Sequence, residues 1–313
     1  MKELQTVNTI ARSSITDIQR QELLEDFFSF LDVSTKTIET YRRALKQLFI
    51  FFHDNHITAP TREDIISFKK MLEDKNCKPS TISLYLAATK RFFKWTAQKN
   101  IYQNVAVDIK SPKQERGHKR DFLGASQIKS MLACFNRKTL AGKRDYAIMS
   151  LMAVGGLRTV EITRANVEDI RTLGDCTVLY VQGKGRKTKT EFVKLPAQVL
   201  EAINDYLKAR GQVSPSAPLF AGIGNRNRNG RMTTRTISVM AKKAMRTAGY
   251  DTPRLTAHSL RHSAVTLALI GGIELSEVQA FARHSSISTT QIYAHNVDRI
   301  KSLCEAKICS MIF

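Results

Sequence analysis

Apolar residues in the first third of the chain recur at helical spacing. Ile38, Tyr41, Leu45, Leu48 and Phe52 fall three and four residues apart and draw one apolar stripe along a helix. Leu23, Leu24, Phe27, Phe28 and Leu31 draw an earlier one. Thr61, with Asp64 three residues on and Ile65, Phe68 and Leu72 behind it, reads as a capped helix start, and Pro79-Ser80 opens a further helix carrying Ile82, Leu86 and Phe93. Four short helices this rich in Phe predict a small bundle whose aromatic stripe is core rather than a base-stacking platform. The second part is also mostly helical, with one break in the pattern. Cys176-Thr177-Val178-Leu179-Tyr180-Val181 and Thr190-Glu191-Phe192-Val193-Lys194-Leu195 flank Gly183-Lys184-Gly185-Arg186-Lys187, which predicts a β-hairpin with a basic tip. The expected fold class is mainly α, with a small antiparallel β-sheet in the second domain.

A polar stretch, Ser111-Pro112-Lys113-Gln114-Glu115-Arg116-Gly117-His118-Lys119-Arg120, lacks apolar periodicity and carries Pro and Gly. It predicts a helical domain over 1–110, a basic linker over 111–121 and a second domain over 122–313. The 313-residue length suits about two domains.

Charge changes the picture. The chain carries 49 Lys+Arg against 28 Asp+Glu, a formal +21. Residues 1–110 hold a net +4 and residues 111–313 a net +17, with nine basic side chains and only Asp251 acidic between Ala221 and Arg261. Such a surface expects a polyanion, nucleic acid or an anionic membrane. No apolar run approaches the roughly 18–20 residues that span a bilayer, and the first residues, Met1-Lys2-Glu3-Leu4-Gln5, form no secretory core. Five scattered cysteines without a Cys-x-x-Cys pair argue against a disulfide scaffold or a cysteine zinc site and fit a reducing cytoplasm. Lys184, Arg186, Lys187 and Lys189 at the hairpin, and Arg226, Arg228, Arg231, Arg235, Lys242 and Lys243 in the basic stretch, are candidate DNA contacts. Solvation alone also accounts for such charge.

Candidate chemistry gathers in the second part. Arg158 follows Val154-Gly155-Gly156-Leu157; His258 and Arg261 lie three apart on one helix face; His284 precedes Tyr293 by nine residues. Phosphodiester exchange develops charge on non-bridging oxygens and needs planar cations, an activated nucleophile and a proton for the leaving alkoxide. Two arginines, Lys184, two histidines and a tyrosine meet that need. No acidic cluster offers the ligands of a two-metal nuclease. His258 and His262 have zinc spacing, but Ser259 stands where the His-Glu-x-x-His pattern requires Glu. No metal and no cofactor is expected.

Arg144-Asp145-Tyr146-Ala147-Ile148 with Gly156-Leu157-Arg158-Thr159-Val160-Glu161, Val181-Gln182-Gly183-Lys184-Gly185, His258-Ser259-Leu260-Arg261-His262-Ser263, and His284 through Tyr293 resemble, in order and spacing, the motifs of the tyrosine recombinases, or phage integrases. The likeness is to Xer-like or compact mobile-element recombinases. It implies an N-terminal core-binding, SAM-like helical bundle and a mostly helical catalytic domain. It implies cleavage and rejoining of DNA strands through a covalent 3′-phosphotyrosyl link, in the integration or excision of a mobile element. Tyr293 is then the nucleophile, Arg158 and Arg261 the phosphate clamp, His258 the proton acceptor, Lys184 the acid for the 5′-oxygen and His284 a further donor. Glu161 either orients an active-site residue or is an ordinary exposed helix residue, and His262 has a supporting or packing role. The implied partners are double-stranded recombination sites and, in the synaptic complex, three further copies in a homo-tetramer. An accessory protein or second recombinase stays open, as do dimer resolution, a type IB topoisomerase-like activity and a non-catalytic binding module. Little chain precedes Gln19, so the arm-binding domain of larger integrases is not expected. One departure stands out. The family usually has Leu-Gly before the last His, whereas this chain has Phe281-Ala282-Arg283. Arg283 there either contacts phosphate or is exposed, and a side chain at a glycine turn expects strain. Ile300, Leu303, Ile308, Met311, Ile312 and Phe313 form an apolar tail that either folds back on its own domain or docks into a neighbouring protomer.

Overall fold

The structure, a computed structural model, describes residues 17–113, 121–183, 185–186 and 188–313. The chain forms two compact units, Met1–Arg116 and Gly117–Phe313. Most of the proposed linker, residues 114–120, lies outside the described residues.

The first unit is built from α1 (Asp17–Phe30), α2 (Thr35–Asp54), α3 (Arg62–Asp74) and α4 (Pro79–Gln98). Local chemistry sets their starts. Ser34 caps α2 through Thr37 N–H, Pro79 opens α4, and α3 begins with the expected capping box. There Thr61 N–H donates to Asp64 Oδ2 at 2.7 Å and Asp64 N–H to Thr61 Oγ1 at 3.4 Å. The apolar stripes become one core: Phe27, Leu45, Leu48, Phe52, Phe68, Leu86, Phe92 and Phe93 are all buried. Phe27 meets Phe92 edge-on with ring centroids 5.4 Å apart, and Phe49 meets Phe92 at 5.6 Å, geometries that favour aromatic pairs beyond the area they bury. These rings are committed to the core, as the spacing implied.

The second unit contains α5 (Ala125–Ala133), α6 (Leu140–Gly155), α7 (Thr159–Arg164), β1 (Ile170–Leu173), β2 (Cys176–Val181), β3 (Glu191–Lys194), α8 (Ala197–Arg210), α9 (Thr234–Thr247), α10 (Ala257–Ile270), α11 (Leu275–Ala282), α12 (Ile287–Lys301) and α13 (Cys304–Ile312). The predicted hairpin is present, with Val181 opposite Glu191 and Tyr180 opposite Phe192. It is part of a three-stranded antiparallel sheet in the order β1-β2-β3. Strand β1 escaped the sequence reading because Arg171, Thr172 and Leu173 are all exposed, so no alternation marks it. Helix α6 forms the centre of the core, buried at Ala147, Ile148, Met149, Ser150, Leu151, Met152 and Ala153, while α10 buries every residue from Ser259 to Thr266. Both α6 and α10 deliver residues to the site below. Among the described residues no helix is long and apolar enough to cross a membrane.

Candidate active site

Helix α6 ends at Gly156, which adopts the left-handed conformation at φ 58° and ψ 31°. Only glycine suits this corner. It takes the positive φ without a Cβ clash, and an added Cβ would also lie 3.1 Å from the Phe281 ring. The turn buries Leu157 and makes Arg158 the N-cap of α7. Glu161, one turn later, accepts from Arg158 N–H at 2.8 Å and from Arg158 Nη1 at 2.9 Å. Glu161 is wholly buried, which excludes the exposed-helix reading of this residue.

From α10, Arg261 reaches the ends of two other helices. Its Nη1 donates to Gly156 O at 2.6 Å and its Nη2 donates to Ala282 O. Both acceptors terminate helices, α6 and α11, where carbonyls lack intrahelical donors and the helix dipole is negative. A guanidinium only 1% exposed is thus held where two negative ends meet. Burial, with repulsion from Arg158 and Arg283, lowers its pKa to about 9, so it stays charged at neutral pH.

Helix α11 closes with Arg283 in the left-handed region, φ 54° and ψ 46°. The left-handed residue expected at this turn is therefore present, but it is an arginine. Its side chain is neither exposed nor directed to solvent: Nη1 donates to Phe281 O at 2.8 Å, and Nη2 to Glu161 Oε2 at 3.1 Å and Gly156 O at 3.3 Å. Burial pushes the Glu161 carboxyl up, but Arg283, the Arg158 N–H and the charges of Arg158 and Arg261 outweigh it, and its net shift is downward.

His284 follows, with Nδ1 bonded to the buried Thr290 hydroxyl at 2.9 Å. Burial lowers its pKa to about 4, helped by the charges of Arg261, Arg158, Arg283 and His258, so its imidazole is neutral at pH 7. On α12, Tyr293 is buried at 4% exposure and its hydroxyl is bonded to Nδ1 of His262. Its ring stacks on His284 at 6.0 Å, and His258 meets His262 edge-on at 4.6 Å. Burial pushes the phenol up to about 12 against the opposing pull of Arg261 and Arg158.

The structure therefore gathers Arg158, Glu161, Arg261, His262, Arg283, His284 and Tyr293 into one network. The resemblance implies His258 as acceptor of the phenol's proton; the structure also bonds the phenol to His262, one helical turn on. His258 is exposed and lines a hollow of about 870 Å³ together with Arg158 and Lys242. Arg158 also lines a cleft of about 1120 Å³ with Gly183, Arg283 and His284. Thr290 had no sequence signal within Ser286-Ile287-Ser288-Thr289-Thr290. Lys184 and Lys187 lie outside the described residues, but Arg164 Nη1 donates to Gly183 O at 3.0 Å and so ties α7 to the residue before Lys184.

The candidate DNA contacts differ in their commitments. Arg186 pairs with Glu191 at 2.9 Å and Lys189 with the buried Asp169 at 2.5 Å. Arg231 bonds Thr163 O at 2.6 Å and Asn166 Oδ1 at 2.6 Å, and Lys242 pairs with Asp251 at 3.1 Å. Arg228, Arg235 and Lys243 are exposed. The Arg226 side chain is outside the described residues. Among the described residues, no group of three or more His, Cys, Asp or Glu is arranged to hold a metal ion.

Residues 121–299, which contain every member of this network, match the phage integrase family, and residues 20–103 match the phage integrase N-terminal SAM-like domain. The chain belongs to the phage integrase family, the tyrosine recombinases. Tyrosine recombinase XerC of Herpetosiphon aurantiacus is 30% identical over 284 residues, covering 88% of this chain and 90% of that protein. Tyrosine recombinase XerA of Pyrococcus furiosus is 30% identical over 275 residues, covering 88% and 89%. The fold is also that of the XerH site-specific recombinase in its post-cleavage complex with a palindromic difH substrate, with a TM-score of 0.72 at 19% identity, covering 96% of this chain and 93% of that one.

Proposed function

We propose that this tyrosine recombinase cleaves and rejoins duplex DNA at specific sites with Tyr293 as its nucleophile. The observation that carries the reading is the Tyr293 hydroxyl bonded to His262 on the helix that also presents Arg261. A phenol whose pKa lies near 12 is a poor nucleophile at neutral pH and needs a base in contact with it. The Tyr293 oxygen attacks the scissile phosphorus and its proton passes to His262 Nδ1. The bond from phosphorus to the 5′-oxygen breaks, and that oxygen takes a proton, in this reading from Lys184. Arg158 and Arg261 hold the non-bridging oxygens as charge develops. In the tautomer in which the Thr290 hydroxyl donates to Nδ1, the neutral His284 carries its proton on Nε2 and offers it to the phosphate. A 5′-hydroxyl from a partner strand then attacks the phosphotyrosine and reverses the sequence. The covalent link conserves the phosphodiester, so no nucleotide cofactor is consumed.

The reading extends to assembly on paired DNA sites, as a homo-tetramer in the synaptic complex. Helix α13 supports this: Leu303, Ile308, Met311, Ile312 and Phe313 are 55–99% exposed. An apolar face of this kind fits a groove on a second copy better than it fits water. That favours exchange between duplexes over relaxation of one duplex.

Fragments of the genome encoding the protein, incubated with it and recovered under denaturing conditions as covalent adducts, identify the target, from which a nicked suicide substrate is made. Wild type accumulates adduct on that substrate and Tyr293→Phe accumulates none. Absence of any wild-type adduct overturns the enzymatic reading, and adduct without strand transfer between duplexes points to topoisomerase-like action.

A further inference from the structure

Arg283 is the cation in this network that the phosphodiester chemistry above does not use. We propose that Arg283 is a positioning residue: its buried guanidinium neutralises Glu161 and so leaves the charge of Arg158 for the scissile phosphate. The inference rests on the recombinase reading and adds a residue to it.

Local energetics do not explain an arginine here. The backbone is left-handed at φ 54°, a conformation that a Cβ disfavours and glycine adopts freely. The Arg283 side chain is only 3% exposed, yet its Nε has no acceptor among the described residues. Burying a donor without a partner is itself unfavourable. What the residue accomplishes is a link between two separate chain segments, since Nη2 reaches both Gly156 O and Glu161 Oε2 across 122–127 residues of sequence.

The charges show what that link does. Glu161 is wholly buried and ionised, so it requires a cation in contact. Two are present: Arg158 on Oε1 at 2.9 Å and Arg283 on Oε2 at 3.1 Å. Arg283 is the more deeply buried, at 3% against 27% for Arg158. Both border the cleft and both bond the carboxylate, but only Arg158 keeps appreciable side-chain surface toward the cleft. Together Arg158, Arg261 and Arg283 set three positive charges against one negative. Without Arg283 the Glu161 carboxylate keeps Arg158 as its contacting cation, with Arg261 acting only at longer range, and the pull of Arg158 on a phosphate weakens.

The test uses the full-length protein and the suicide substrate, in two forms: the natural phosphodiester and a methylphosphonate that is neutral at the scissile position. The rate of adduct formation at saturating DNA is measured separately from the dissociation constant. Arg283→Met is expected to slow adduct formation roughly 10–100-fold on the phosphodiester with little change in DNA affinity, less than the loss of a direct clamp donor. Arg283→Lys recovers most of the rate. Removing the carboxylate charge as well, in Arg283→Met with Glu161→Gln, gives a faster enzyme than Arg283→Met alone, the coupling expected of two groups acting on a third. On the methylphosphonate the gap between wild type and Arg283→Met narrows, because that centre presents less charge to Arg158. If Arg283→Met unfolds, Arg283→Gln, which keeps a polar side chain beside Glu161 without the charge, takes its place in every comparison. Equal losses on both substrates, or a double variant slower than Arg283→Met, mean that Arg283 only props the turn and overturn the proposal. Wild type that forms adduct while Arg283→Met matches it removes Arg283 alone; wild type that forms none removes the recombinase reading and this inference with it.

Discussion

Replacing Arg261 by lysine keeps a positive charge on α10 and removes the geometry that the charge has now. Arg261 bonds Gly156 O and Ala282 O together, bridging the ends of α6 and α11 with one planar group. A lysine ammonium is a compact point charge and meets one of the two carbonyls at a time. The other is left buried without a donor, a loss of about 1.5–3 kcal/mol for a charge-assisted bond. For a unit of this size each kcal/mol moves the melting temperature ~2–4 °C, so Arg261→Lys melts roughly 3–12 °C below wild type. The rate falls further than the stability does. On the proposed role of Arg261 in the phosphate clamp, a donor to the phosphate is lost along with the correct separation of the two helix ends, and suicide-substrate cleavage drops on the order of 10²–10³-fold. A melting scan and a single-turnover cleavage assay on the same preparation read both quantities. A lysine variant that melts within about 1 °C of wild type refutes the claim that this guanidinium holds the helix ends. One that cleaves at the wild-type rate refutes its place in the clamp.

Other outcomes follow from the same geometry. The folded-state pKa of Tyr293 is raised to about 12, so its contribution to stability is complete below pH 10 and is lost as pH rises from 10 through 12; Tyr293→Phe lacks that part of the alkaline fall in denaturant melts. Gly156→Ala forces a Cβ to positive φ and to 3.1 Å from the Phe281 ring, and lowers stability by about 1–3 kcal/mol in urea titrations. Truncation after Ser302 removes the exposed apolar face of α13 and leaves DNA binding by one protomer, while synapsis measured by native gel is lost. With a formal +21, DNA affinity falls steeply between low and moderate salt as counterions are released, and a flat salt profile contradicts a phosphate-dominated interface.

How much of this was legible beforehand depends on the range of the interaction. Helices α2, α3 and α4 were legible because stripe and cap act within a few residues, as with Thr61 and Asp64. The hairpin was legible because β2 is β-branched and its turn carries glycine. Strand β1 was not, since its exposed residues carry no pattern and only pairing with β2 makes it a strand. The motif residues Arg158, Arg261, His284 and Tyr293 could be picked by type and spacing. What each of them touches could not.

Sequence alone determined the membership: helical class, basic surface, and the residue types that phosphoryl transfer needs, in order. The tertiary structure decided the wiring. Folding set His262 against the phenol, turned Arg283 inward onto Glu161, and placed two helix ends around Arg261. The last two depend on which carbonyls are left without donors and which carboxylate is buried. The bonds of Arg261 to Gly156 O and of Arg283 to Glu161 join residues more than 100 positions apart, brought together only when α6, α10 and α11 pack.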